Sequence, residues 1–145
     1  GILLTHHHYD HVGAVDGIVQ AKECPVRLHR NDCDLYGKQF DGMLEGGETF
    51  LLGDETITVL HTPGHPRGSV CFFCEKSKLV FTGDTIFNVD LGRTDLADGS
   101  SKQMAASIRN TINLWGNDIT IYPGHGDPAN MKYVRKHNQE FLDLL

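Results

Sequence analysis

The segment THHHYDH, residues 5–11, constrains this chain more than any other feature of its sequence. It places four histidines and an aspartate directly behind the short apolar run ILL. In an extended segment, side chains two residues apart point to the same side, so His6 and His8 can bind one ion. Asp10 and His11 lie past a turn and can reach a second ion close by. One loop cannot supply all the ligands of two ions, so the others must come from elsewhere in the chain.

Three further candidate ligands stand at the ends of strand-like runs. His65 follows ETITVLHTPG, Asp84 ends KLVFTGD, and His125 follows DITIYPG. The carboxyl ends of neighbouring strands meet at one edge of a sheet, where α/β folds commonly place their sites. We therefore expect His65 to complete the ligand set of the first ion and His125 that of the second. Asp84 is expected to bridge both ions through its two oxygens. The alternative is a solvated histidine-rich loop beside unrelated turns.

The rest of the sequence predicts one layered α/β domain over residues 1–145. Strand-like runs lie between Gly, Asp and Lys/Ser turns, and helical runs carry apolar residues three or four apart. Ser101 is the predicted N-cap of the clearest helix and Gly116 its stop. The predicted strands are 2–5, 25–29, 49–53, 55–64, 68–75, 78–84 and 118–124, the helices 12–23, 31–37, 101–116 and the tail 128–145, and the loops 37–48 and 85–101.

Composition argues against several classes of function. With 145 residues, of which 39% are hydrophobic and 22% charged, the chain is long enough for one packed core. Its net charge of −6 and its lack of a Lys/Arg block give no support for binding nucleic acid or anionic membranes. No apolar run is long enough to span a bilayer. The four cysteines, including Cys71 and Cys74 of a strand-like CxxC, predict buried free thiols in a reducing, cytoplasmic compartment.

Four motifs, THHHYDH, TPGHPRGS, FTGDTIF and YPGHGD, occur in the order and approximate spacing of the metallo-beta-lactamase superfamily, which the chain resembles over nearly its whole length. The stretch GDTIFNVDLGRTDLADGS is most similar to small, single-domain glyoxalase II-like thioester hydrolases. The resemblance implies an αβ/βα sandwich with the metal ligands named above. Members of that fold begin with further strands, so we expect an incomplete sheet and bare apolar surface that is open to self-association.

The resemblance implies hydrolysis of a small-molecule thioester such as a hydroxyacylglutathione. Two divalent ions, zinc or else iron or manganese, lower the pKa of a shared water, and the resulting hydroxide attacks the acyl carbonyl. Asp10 and Asp84 hold the ions and orient the attacking oxygen, which makes them the predicted catalytic residues. The thiolate leaves without a strong general acid, because a thiol has a pKa of about 8.5.

Arg93 is the predicted substrate-binding residue. In glyoxalase II-like enzymes a basic residue at this position helps to hold the glutathione carboxylate, and a guanidinium suits bidentate carboxylate binding. The alternative is a surface arginine paired with Asp95 or Asp98. Asp95 and Asp127 stand where the family has aromatic residues, and these departures weaken the prediction of glutathione as the thiol.

Two other classes of function stay open. Persulfide dioxygenases share the fold and a similar GRTD stretch, and their single iron is held by residues matching His6, His65 and Asp84. A glycine rather than an alanine before His125 favours the hydrolase. The third class is an inactive fragment, because the strands expected before the first motif are not in this sequence.

Four histidines lie outside the predicted metal site. His7 alternates with its neighbours and is expected to point away from the metals, in a supporting role. His61 precedes TPGH and is predicted to be structural or to support a ligand. His29 and His137 are predicted to be surface residues.

Overall fold

The computed structural model describes residues 1–145, which form two β-sheets with helices on their outer faces. The first sheet is parallel, and its strands in spatial order are β1 (Ile2–Leu3), β2 (Val26–His29) and β3 (Gly42–Leu44). The second sheet keeps chain order, and its strands are β4 (Thr49–Leu52), β5 (Glu55–His61), β6 (Val70–Cys74), β7 (Leu79–Gly83), β8 (Thr120–Pro123) and β9 (Ala129–Asn130). Only the β7–β8 pair of this sheet is parallel.

Each sheet has its own set of helices. The first sheet packs against α1 (Tyr9–Val12), α2 (Val15–Lys22) and α3 (Cys33–Tyr36), through a core of seven buried residues. The second sheet packs against α4 (Ser101–Asn110), α5 (Met131–His137) and α6 (Gln139–Asp143), through a core of twelve. None of the six helices has both the length and the apolar character that a membrane crossing requires.

A third apolar cluster lies between the two sheets and holds them face to face. It joins Leu44 of β3 to Val59 of β5 and to Val70 and Phe72 of β6. Because side chains alternate along β6, Cys71 lies on the opposite face of the second sheet, in the core between that sheet and its helices. The four layers form the predicted αβ/βα sandwich.

The CxxC cysteines behave as the sequence predicts. Cys71 and Cys74 are buried, and all four cysteines are free thiols. Burial raises the pKa of Cys71 to about 11, so this thiol stays protonated and unreactive near neutral pH.

Several predicted boundaries differ from those of the structure. The predicted helix 12–23 is α2, which begins only at Val15; Val12 instead ends the short helix α1, and Gly13 and Ala14 separate the two. The predicted helix 31–37 begins as a 3-10 turn and becomes α-helical only at α3. The predicted loop 37–48 contains β3, because β2 offers it a parallel edge. Helix 101–116 ends at Asn110, and its N-cap is Ser100, whose hydroxyl accepts a hydrogen bond from the Gln103 amide.

Candidate metal centre

The seven predicted ligands converge at one edge of the sandwich. His6 follows β1 of the first sheet, whereas His65, Asp84 and His125 follow β5, β7 and β8 of the second. A hydrogen bond of 2.9 Å from the Val70 amide to the Thr5 carbonyl ties the two sheets together beside the first motif. The strand ends therefore place the predicted ligands side by side, as the sequence predicted, and residues from both halves of the fold meet at one site.

The first group consists of His6, His8 and His65, with one nitrogen of each within 4.8 Å of the others. His6 and His65 are buried, and the Nε2 atom of His6 has no hydrogen-bond partner. A buried polar atom without a partner is costly unless something binds it. Burial, followed by the charge of His11, lowers the pKa of His6 to about 2, so its imidazole is neutral and available as a ligand.

The hydrogen bonds around this group fix which nitrogens face its centre. His65 donates from Nδ1 to the Arg93 carbonyl at 2.9 Å, and His8 can donate from Nε2 to Asp98 Oδ2 at 3.3 Å. With those protons in place, His65 Nε2 and His8 Nδ1 both present lone pairs, only 3.0 Å apart. Two such lone pairs repel each other, but a shared cation would bind both. The donor set therefore fits a metal ion.

The second group consists of Asp10, His11, Asp84 and His125, whose ligand atoms also lie within 4.8 Å of one another. Asp10 Oδ2 is 3.0 Å from His125 Nε2, and Asp84 Oδ2 is 3.1 Å from His11 Nε2. His125 and Asp10 form the exposed side of this group, whereas Asp84 is buried. Access from solvent is therefore through the His125 side.

Asp84 links the two groups. Its Oδ2 atom lies 3.3 Å from His65 Nε2 in the first group and 3.3 Å from His125 Nε2 in the second. Burial opposes its ionisation, but the neighbouring imidazoles of His11 and His65 outweigh burial and hold the pKa of Asp84 well below its ordinary value. The Oδ1 atom is buried without a partner, so it remains available to a further cation.

Two glycines leave room for this arrangement. A Cβ atom on Gly124 would collide with Asp84 Oδ1 and with the ring of His11. A Cβ atom on Gly92 would collide with the carbonyl oxygen of Asp84 and press on His65. The loops after β7 and β8 can approach the ligands this closely only because both positions lack side chains.

Asp32 and Asp98 form a supporting network that the sequence analysis missed. Asp32 is fully buried, and its Oδ2 accepts hydrogen bonds of 2.8 Å from both the backbone amide and Nδ1 of His7. His7 Nε2 lies 3.4 Å from Asp98 Oδ2, the same oxygen that faces His8. His7 thus has the predicted supporting role, and Asp98 fixes the ring of His8.

The predictions for the other histidines are partly wrong. His29 is buried, not on the surface, and its ring stacks on that of His61 at a centroid distance of 3.9 Å. Its Nε2 donates to the Glu45 carbonyl at 3.2 Å, and His61 Nε2 donates to the Arg67 carbonyl at 2.9 Å. The structural role predicted for His61 is confirmed, whereas a partner 32 residues away in sequence buries His29.

A cavity of about 620 Å³ opens onto both ligand groups. Its walls come from the metal-ligand segments and from the loop after β7, which contributes Phe87, Val89, Asp90, Arg93 and Leu96. The predicted substrate-binding residue Arg93 does lie at this cavity, but its guanidinium pairs with Asp95. The size is ordinary for a small-molecule site.

Comparison with known proteins agrees with this geometry. The family model described as the metallo-beta-lactamase superfamily matches residues 1–125. A probable metallo-hydrolase of Bacillus subtilis, YqgX, is 34% identical over 94% of this chain and 73% of its own length. A probable hydroxyacylglutathione hydrolase of Schizosaccharomyces pombe is 37% identical over 95% of this chain and 53% of its own length.

Solved structures show the same fold. The crystal structure of TTHA1623 in a di-iron-bound form superimposes with a TM-score of 0.83 and 34% identity, covering 95% of this chain and 75% of that one. The histidine and aspartate groups, together with the family match, indicate that the chain binds metal ions.

Proposed function

The chain belongs to the metallo-beta-lactamase superfamily, and from this premise we propose that it is a hydrolase that uses two metal ions to cleave small-molecule acyl thioesters. One observation carries the proposal: two ligand groups share the buried carboxylate of Asp84 and open onto a single cavity. His6, His8 and His65 would hold one ion, and Asp10, His11 and His125 the other.

The nature of the donor atoms supports divalent ions such as zinc, iron or manganese. Held there, they would supply Lewis acidity, which lowers the pKa of water and stabilises negative charge on a carbonyl oxygen. TTHA1623, which has been solved with two irons, supports a count of two.

The protein's own residues would position the reactants. The Asp10 side chain is partly exposed beside the cavity, where its carboxylate can accept a hydrogen bond from an attacking water. The buried Asp84 keeps its charge to low pH and fixes the spacing between the two groups. Phe87 and Leu96 offer apolar walls that limit access of bulk water.

A thioester suits these residues better than an ester or amide. Apart from the proposed metal ligands, the cavity is lined by no histidine, lysine or cysteine and by no tyrosine other than the exposed Tyr9, so the site lacks a strong general acid. A departing thiolate needs none, since the conjugate thiol has a pKa of about 8.5. The S. pombe relative, named as a probable hydroxyacylglutathione hydrolase, supports the same substrate class.

Metal content and thioester cleavage test the proposal together. We expect about two ions per chain by mass spectrometry and release of free thiol from S-lactoylglutathione or S-acetyl-N-acetylcysteamine by the zinc-, iron- or manganese-loaded protein. Asp84→Asn is expected to lower both metal content and turnover, the latter by about 100-fold or more. His137→Asn, which alters an exposed histidine on α5, is the matched control and is expected to retain both.

Other outcomes would overturn the proposal. One iron per chain with oxygen uptake on a persulfide would make the protein a dioxygenase. Full metal content with cleavage of a β-lactam but of no thioester would place it among the other hydrolases of the family. A folded protein that binds no metal would be an inactive member of the family, and the proposal would fail.

A further inference from the structure

We propose that the cavity selects thioesters whose thiol carries no carboxylate, because Arg93, its one guanidinium, is already neutralised by Asp95. This inference rests on the proposed thioester hydrolysis and narrows its substrate class. It reverses the role that the sequence predicted for Arg93.

The Arg93–Asp95 pair is bidentate. Arg93 Nε donates to Asp95 Oδ1 at 2.7 Å, and Nη2 donates to Oδ2 at 2.9 Å. Two parallel hydrogen bonds between a planar guanidinium and a carboxylate are the strongest geometry such a pair can adopt. The same pairing lowers the pKa of Asp95 to about 2, so the aspartate is ionised at any pH at which the enzyme would work.

A second carboxylate would find little attraction here. The Nε–Nη2 edge of Arg93 is occupied, and a ligand at the remaining edge would lie beside the negative charge of Asp95. Asp90 also lines the cavity and is exposed. Apart from the proposed metal ligands, the cavity wall therefore has one carboxylate and one guanidinium that Asp95 already pairs, and it offers no unpaired cationic side chain to an anionic thiol moiety.

The neighbouring surface favours an uncharged partner. Tyr9, Val89 and Leu96 line the cavity and are 88%, 46% and 40% exposed, respectively. Exposed large apolar side chains around a concave site indicate apolar contact with a ligand. A neutral thiol portion would lie against these three side chains without displacing Asp95.

Two acetyl thioesters with the same acyl group test this selectivity. One has the neutral thiol N-acetylcysteamine, and the other has 3-mercaptopropionate, which bears a carboxylate. We expect the wild-type protein to have the higher kcat/KM for the neutral thioester. In Asp95→Asn the ratio of kcat/KM values, neutral over carboxylate, is expected to fall about three- to five-fold, through a lower KM for the carboxylate substrate.

Two further variants make the cause specific. The double variant Arg93→Gln/Asp95→Asn should not show the lower KM for the carboxylate substrate that is expected of Asp95→Asn, because it lacks the freed guanidinium. Asp118→Asn, which removes an exposed carboxylate paired with Lys78 at 2.7 Å, is the control and should leave the ratio unchanged. A wild-type preference for the carboxylate thioester, or an unchanged ratio in Asp95→Asn, would overturn the inference.

A binding measurement distinguishes failure of this inference from failure of the proposed function. If neither thioester is cleaved, thioester hydrolysis fails, but calorimetric titration with the two corresponding non-cleavable S-ethyl thioethers still measures selectivity. Tighter binding of the carboxylate thioether by Asp95→Asn than by wild type would support the charge argument. Equal binding by both proteins would refute it.

Discussion

Asp98 shows how one carboxylate outside the ligand set can govern a metal ligand. It faces Nε2 of His8 at 3.3 Å and thereby assigns the lone pair to Nδ1, the atom directed at His65. The partners of a ligand histidine set both its tautomer and its ring orientation. Metal affinity should therefore depend on this aspartate even though it binds no metal itself.

Replacing Asp98 by alanine is expected to weaken metal binding about 10- to 100-fold, measured by competition with a chromophoric chelator. Asp98→Asn should lose less, because its amide oxygen can still accept the hydrogen bond from His8. Asp16→Asn removes an exposed carboxylate paired with Lys38 at 3.0 Å and serves as control. Unchanged affinity in Asp98→Ala would show that His8 is held by packing alone.

His29 makes stability depend on pH. Burial, and then the nearby His61, lower the pKa of His29 below its ordinary value of 6.5, so the unfolded chain binds the proton more readily than the folded protein. Its contribution to stability is complete above pH 6.5 and is lost as the pH falls below that value. Urea unfolding of metal-loaded protein between pH 8 and pH 5 should show a smaller decline for His29→Gln than for wild type. A decline of equal size would exclude His29 as its source.

The sequence predicted the ligand residues because spacing and strand ends encode them locally. His6 and His8 alternate along one segment, and Asp84 follows a strand directly. Asp32 and Asp98 carry no such signal, since they meet the histidine motif across 25 and 90 residues of chain. Arg93 was located correctly at the cavity, but its role depends on a side-chain geometry that no pattern encodes.

The loop after β7 forms one wall of the cavity, and hydrogen bonds to Asn138 and Glu140 attach it to the start of α6. Asn138 is fully buried, and its amide donates to the carbonyls of Phe87 and Asp90 at 3.0 and 2.9 Å. Its carbonyl oxygen also accepts from the Phe141 amide at 2.9 Å and so caps α6. The position of the cavity wall is thus set by the start of the last helix.

Asn138→Ala should leave these buried groups unpaired and lower the free energy of unfolding by about 2–4 kcal/mol in chemical denaturation. KM should rise as well, because Phe87 and its neighbours lose their support. Asn130→Ala is the matched control: Asn130 caps α5 from an exposed position, so its loss should cost about 1 kcal/mol and leave KM unchanged. Equal effects in both variants would show that only capping matters.

Strands were predicted more accurately than helices because alternation reports directly on the two faces of a sheet. Two strands are exceptions: β9 falls within the predicted helical tail 128–145, and β3 lies in a Gly-rich stretch where Gly42 is covered by the side chain of Arg27. The strand character of β3 comes from pairing with β2, not from its own residues. Helix α4 ends where the backbone of Thr111 leaves helical angles (φ −124°, ψ −64°), although helical spacing of apolar residues continues to Trp115.

The metal centre joins the two halves of the sandwich. One set of ligands follows β1 of the first sheet, and the others follow strands of the second, so bound ions would link the two layers. Because the unfolded chain does not hold these residues together, binding stabilises the folded protein. The layered fold itself followed from the element pattern, since few arrangements bury two such sheets.

Removal of metal should therefore lower Tm. Thermal unfolding of chelator-treated protein with rising free zinc is expected to show a steady increase in Tm, equivalent to about 2.7 kcal/mol of stability when zinc reaches 100 times its Kd. Asp84→Asn, which loses the shared ligand, should respond much less. A Tm that does not change with zinc would mean that the two layers are held together without ions.

During protein synthesis the proposed metal ligands would emerge from the ribosome in a fixed order. The strands of the second sheet neighbour one another in chain order, so each can pair soon after it leaves the ribosome, and only β8 waits for a helical crossover. His6, His8 and His65 are all present in the nascent chain well before His125 emerges. The first ion would thus have a complete histidine set while the second still lacks its last ligand, and loading of the pair would be sequential.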